Sequence, residues 1–209
     1  MDELRRLEAA SWSWGVERRI GAAPDLAIEA RAGETRFIRG HAAVFNQLSE
    51  DLGGFREQIS PGAFAEAIKR DDIRALFNHD PNFVLGRRSA GTLKLWEDSQ
   101  GLAIEISPPD TTFGRDLVVS LGRGDITQMS FGFRVTKDGQ RWGKDAAGQV
   151  IRTLTKVSLF DVSPVTFPAY RQTDVGVQSM AGVFGARTGG SVPVSILRRK
   201  LELLLLEGL

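Results

Sequence analysis

The sequence predicts a mainly β fold of the α+β class: a β-barrel or strongly curved sheet with a few peripheral helices. Three observations carry this. From Glu34 to Tyr170, short alternating or apolar runs are cut by Gly, Asn and Asp, which is the pattern of strands. Two segments in that span have helix starts and stops, and strands greatly outnumber them. The run "TLKLWEDSQGLAIEI" holds two stretches of period two around a polar turn carrying Gly101, which predicts a hairpin.

Taken in order, residues 1–33 mix charges, Ala and the apolar residues Trp12, Trp14 and Val16, with Pro24 and Gly33 as punctuation. They read as a short helix followed by a loosely ordered entry segment, an N-terminal arm. Strands are expected at "FREQI", "IRALF", "GTLKLWE", "GLAIEIS", "ITQMSFGFRV" and "RTLTKVSLFDVSPV". The segment "SPGAFAEAIKR" predicts a helix with Ser60 as N-cap and Pro61 at the first helical position. A second helix, "TTFGRDLVVSLGRGD", starts at Thr111 or Thr112 and stops at Gly122 or Gly124. Residues 34–175 form the expected domain. Residues 176–209 read as a linker, "QSMAGVFGARTGGSVPV", and a leucine-rich C-terminal helix, "SILRRKLELLLLEGL".

Composition narrows the chemistry. With 209 residues, 42% hydrophobic and 25% charged, the chain is long enough for one well-buried domain. The net charge is +1 with signs interspersed, so no basic stripe marks a nucleic-acid partner. No cysteine is present, which removes disulfides, thiolate catalysis and cysteine-based metal sites. No window reaches the roughly 18 apolar residues of a spanning helix, so a membrane is not an expected partner and a cytoplasmic, cofactor-free protein is. Neither a phosphate-binding G-x-x-x-x-G-K-[ST] loop nor a dinucleotide G-x-G-x-x-G motif occurs. The histidines, His41 and His79, are the only two and lack metal-ligand spacing.

What remains is acid–base or nucleophilic work by Ser, His and Asp or Glu. In "ITQMSFGFRV" the apolar face is Met129, Phe131, Phe133 and Val135, so Ser130 lies on the other face beside Gly132, with open space around its hydroxyl. A solvated surface serine fits the same pattern. His79 continues the face of Ile73, Ala75 and Phe77 to the turn "NHDPN", where packing or turn hydrogen bonding is its ordinary use. Asp161 falls by alternation beside Val157, Leu159 and Val165, and a carboxylate among apolar neighbours needs a partner, whether an arginine, backbone N–H groups or a histidine.

The ordered segments "IRGHAAVFNQ", "FREQISPGAFAEAI", "IRALFNHDPNFVLGR", "GTLKLWEDSQGLAIEI", "ITQMSFGF" and "LFDVSPVTFPAY" resemble the prohead protease family of HK97-type tailed phages, itself similar in fold to the herpesvirus assemblin proteases. The resemblance spans Phe37 to Tyr170. It implies a mixed β-barrel flanked by helices and a serine protease that cuts the scaffold, or the scaffolding domain of the capsid protein, and itself. The setting would be the immature capsid in the host bacterial cytoplasm. It implies Ser130 as nucleophile, His79 as general base and acid, and Asp161 as the group orienting His79, with oxyanion donors unassigned. His41 stands where the family commonly has an aromatic residue, so it is not expected to be catalytic. Arg87 and Arg88 are candidates for shaping the site, and surface pairing is their alternative. By analogy with assemblins a homo-oligomer is allowed. The rival reading is a non-catalytic capsid-interior scaffolding or binding protein on the same barrel. A third, a metal-dependent nuclease built on "NHD", lacks both ligands and basic surface.

Overall fold

The central sheet runs β1 (Glu17–Ala22), β9 (Gln128–Val135), β12 (Val157–Val165), β5 (Arg74–Phe77) and β6 (Asp80–Arg87) across its width. It belongs to a computed structural model that describes residues 15–30 and 36–167. A second sheet has the order β2 (Ala27–Ala30), β3 (Arg36–Val44), β8 (Gly101–Ile106), β7 (Leu93–Glu97), and a third β10 (Gln140–Lys144), β11 (Val150–Leu154), β4 (Arg56–Ile59). The β12–β5 and β11–β4 pairs are parallel and the rest antiparallel, so the architecture is mixed. The mainly β reading holds, with the strands in three sheets and no closed cylinder among the described residues.

The core forms where the sheets face one another. Met129, Phe131 and Phe133 are buried on one face of β9, as alternation predicts, and Val135 packs against the same cluster. Phe64 meets Phe131 edge-on at 5.5 Å and stacks on Phe45 at 6.3 Å. Ile38, Leu102, Ile104 and Ile106 fill the region between β3, β8 and the central sheet. Burying side chains of this size stabilises the fold by ~2 kcal/mol each.

The β7–β8 hairpin is present as expected. The helix α1 (Ala65–Arg70) begins later than Ser60, because Gly62 takes φ +89°, outside helical space, and residues 60–64 form turns. Its N-cap, Phe64, has no capping side chain. Glu97 of β7 supplies the cap from outside, accepting from Gly62 N at 3.0 Å and Phe64 N at 2.8 Å. The helix α2 (Thr112–Gly122) starts as read, with Thr111 Oγ accepting from Gly114 N at 3.1 Å. "RTLTKVSLFDVSPV" is two strands in two sheets rather than one.

Residues 17–22 and 27–30, within the stretch read as a loosely ordered arm, are strands: β1 pairs with β9 and β2 with β3. The reading missed β1 because its inward-facing residues are charged. Glu17, Arg19, Glu57 and Arg152 form a closed buried quartet linking β1 to β4 and β11. Arg19 holds Glu57 through two bonds of 2.6 and 2.9 Å, and Arg152 holds Glu17 through two of 2.7 and 3.0 Å. The expected helix in the first residues, the linker and the C-terminal helix lie outside the described residues.

Candidate active site

The site is assembled on the face of β9 and β12 turned away from the aromatic core. Down this antiparallel pair Phe133 faces Leu159, yet the next register pairs are Gly132 with Asp161, Ser130 with Ser163 and Gln128 with Val165. One residue, Phe160, is therefore extra on β12. This β-bulge reverses the alternation, so Leu159 points into the core while Asp161 and Ser163 point to the face carrying Ser130. Asp161 thus does not share the side of Val157 and Leu159, as strict alternation predicted; of its expected companions only Val165 stays with it. Asp71, at the end of α1, accepts from Leu159 N at 2.8 Å and supports the strand where the bulge begins.

Gly132 has a different use from the one expected. The space over it is filled by Asp161, and a Cβ there would overlap Asp161 Oδ1. It makes room for a carboxylate instead of opening a path to Ser130. Ser130 itself is 0% exposed, which rules out the solvated-strand alternative.

His79 comes from the β5–β6 turn. Phe77 pairs with Asp80, leaving Asn78 and His79 as a two-residue loop with φ 53° and 58°. Such a loop needs positive φ at both positions, usually as Asn-Gly, and a non-glycine residue in left-handed space costs ~1–2 kcal/mol. His79 stands where glycine is preferred. It is not the end of a strand face, as read from the sequence, and its direction is set by this turn. Asn78 pins the turn to the end of β12: its N donates to Pro164 O at 3.0 Å and its Oδ1 accepts from Thr166 N at 2.9 Å.

The outcome is a continuous hydrogen-bonded chain. His79 Nδ1 lies 2.5 Å from Asp161 Oδ2, and His79 Nε2 lies 2.6 Å from Ser130 Oγ. A carboxylate only accepts, so Nδ1 carries the proton and the Nε2 lone pair is left to accept the Ser130 hydroxyl. This is the connectivity of an activated serine nucleophile. The sequence named all three residues but missed Ser163, whose Oγ donates to Asp161 Oδ2 at 2.7 Å. The spacing "DVS" is the signal: two apart on one strand, the residues share a face.

The remaining candidates are elsewhere. His41, on β3, holds Asp25 through Nδ1 at 2.5 Å and Asp98 through Nε2 at 2.9 Å. Burial pulls its pKa down, but the two carboxylates outweigh that and hold it above the usual histidine value. With both nitrogens occupied it has no lone pair for chemistry. Arg87 pairs with Asp72 at the surface, and Arg88 donates to Lys69 O at 2.9 Å, so neither reaches Ser130 or Asp161 through these bonds.

A family model of the caudovirus prohead serine proteases matches residues 25–183. No curated protein sequence matches significantly. Among solved structures, the capsid assembly protease gp21 of bacteriophage T4 is similar with a TM-score of 0.46 and 11% identity, over 72% of this chain and 98% of that one.

Proposed function

Because the chain belongs to the caudovirus prohead serine proteases, we propose that it is a Ser130–His79–Asp161 endopeptidase that cuts the scaffold protein, or the scaffolding domain of the capsid protein, and itself, within the immature capsid. The observation that supports this reading is the hydrogen-bonded chain from Asp161 through both nitrogens of His79 to Ser130. Ser130 Oγ attacks the scissile carbonyl while His79 Nε2 takes its proton. The tetrahedral intermediate collapses, and His79 returns the proton to the leaving amine. Water then attacks the acyl-enzyme with His79 again as base, releasing the second product and restoring Ser130. Asp161 keeps the proton on Nδ1 and stabilises the imidazolium that forms twice per turnover. No cofactor enters. The three sheets are read as the walls of the mixed barrel.

We place self-processing in residues 178–194, a stretch whose richness in Gly and small residues suits it to extend across the site. Cutting there frees the leucine-rich 195–209 segment. The test is the intact mass of purified protein over time. Wild type shortens from its C-terminus and Ser130→Ala stays at 22.9 kDa. A serine-directed phosphonate stops the trimming, and EDTA does not. Trimming that continues in Ser130→Ala after protease-free purification assigns the cutting to another enzyme. His79→Ala abolishes trimming and His41→Ala leaves it; equal loss in both folded variants removes the distinction drawn between the two histidines.

A further inference from the structure

We propose that Ser163 is a positioning residue of this active site, fixing the Asp161 carboxylate so that His79 meets it in one orientation; this rests on the serine-protease reading above. Ser163 lies directly opposite Ser130 in the β9–β12 register and is 0% exposed. Its hydroxyl donates to Asp161 Oδ2 at 2.7 Å, the same oxygen that accepts from His79 Nδ1 at 2.5 Å, while Ser163 Oγ stands 3.4 Å from that nitrogen. The other carboxylate oxygen faces Gly132, where a Cβ would overlap it. Asp161 thus sits in a slot with a hydroxyl on one side and a missing side chain on the other. The bulge at Phe160 turns residues 161 and 163 together onto this face, so one backbone irregularity delivers both.

The physical effect is twofold. A donor on Oδ2 restrains rotation of the carboxylate about its last torsion, which fixes the plane in which the imidazole docks. It also draws off part of the carboxylate's negative charge. Without Ser163 the carboxylate becomes more basic toward Nδ1–H and favours the imidazolium more strongly. His79 is then less often the neutral base that attack requires, and the acid limb of the rate profile moves to higher pH.

The test uses a fluorophosphonate probe on the full chain, which needs no knowledge of the peptide substrate. The Ser130 Oγ–P bond forms, the P–F bond breaks, fluoride leaves and the hydroxyl proton passes to His79. Ser163→Ala is expected to label about tenfold more slowly, the loss of one charge-assisted hydrogen bond, with its acid limb displaced upward. Ser163→Thr, which keeps the hydroxyl, is expected to recover most of the rate. The downfield proton resonance of His79 Nδ1 is expected to move in Ser163→Ala and return in Ser163→Thr. Ser163→Ala labelling with the wild-type rate and pH profile overturns the inference while leaving the nucleophile assignment intact. If Ser163→Ala does not fold, Ser163→Cys, nearly isosteric with a weak donor, replaces it: an unchanged limb and resonance there also overturn the proposal. Wild-type protein that Ser130→Ala matches in labelling fails the earlier reading instead.

Discussion

Two buried polar networks lie on opposite faces of the central sheet, one joining β1 to β4 and β11 and the other joining β9, β12 and the β5–β6 turn, and they are built to different ends. On the core face, Glu17 and Arg19 of β1 join Glu57 and Arg152, two positive and two negative groups none more than 8% exposed. Each carboxylate is shared by both guanidiniums, which also lie over the rings of Phe133 and Trp142. On the other face, Ser130, His79, Asp161 and Ser163 form an open chain ending in a hydroxyl. The quartet is closed by charge, so nothing in it is left to give. The chain is held by backbone devices, namely a bulge, a glycine gap and a left-handed turn, and its last proton is free to move. Satisfied charge fastens sheets together, whereas imposed geometry leaves chemistry available.

The largest expected effect breaks the open chain alone. Asp161→Asn keeps the fold but slows cleavage by about 10⁴, because the amide no longer favours the required imidazole tautomer. Phosphonate labelling rates together with an unchanged melting curve check it. Next, Arg152→Met strips the quartet of one cation and leaves both Glu17 and Glu57 buried without their full set of partners, costing about 3–5 kcal/mol. Denaturant unfolding reads that loss, and labelling per folded molecule stays at the wild-type value. A result in which activity falls with stability would mean the two faces are coupled.

Acid probes the quartet without mutation. Burial pushes the Glu17 carboxyl up, but hydrogen bonds and charge from Arg152 and then Arg19 override it and bring it from 4.5 to about 2. A group depressed on folding stabilises above its unfolded pKa and loses that contribution as pH falls through the folded one. Unfolding free energy is therefore expected to drop by about 3 kcal/mol between pH ~4.5 and ~2, and Glu17→Gln flattens this part of the curve. Gly132→Ala is the finer cut at the active face. The new methyl displaces Asp161 by a fraction of an ångström, and cleavage falls about 10²-fold with a small change in melting temperature. The smallest effect belongs to His41→Ala. Its pKa is raised on folding, so its contribution is present below about pH 6.5 and fades as pH rises through the folded value. The variant is less stable than wild type in mildly acidic buffer, equal to it in alkaline buffer, and active throughout.

The same contrast explains what could be read in the chain beforehand. Ser130, His79 and Asp161 could be named beforehand only through the family pattern that "MSFGF", "NHD" and "DVS" resemble, because alternation alone left each of them an ordinary use; the structure brings the three within hydrogen-bond reach. Their geometry was not legible. Alternation counts residues in pairs, and Phe160 spoils the count. Glycine is the usual residue at the second position of a two-residue hairpin loop, so His79 reads as strand end instead of loop. The strand β1 was hidden for the reason the quartet exists: hydrophobic patterning takes Glu17 and Arg19 as outward, and only partners on β4 and β11, 38 or more residues away, let them turn inward. Ser60 and Pro61 read as a helix start because the true cap, Glu97, lies in another strand.

The bulge also sets what mutation can do near the active site. Phe160 is 37% exposed, and the ring contact it makes is with Arg134, so many residues can replace it. Removing it would leave Leu159 opposite Phe133 and bring Asp161 next in the same alternation, opposite Gly132, so Asp161 and Ser163 would keep the face of Ser130. The deletion straightens the strand without moving its side chains across the sheet. What would carry Asp161 to the core face is the opposite change, a pairing that takes Phe160 into the ladder: Phe160 would then stand opposite Gly132, and Asp161 opposite Phe131.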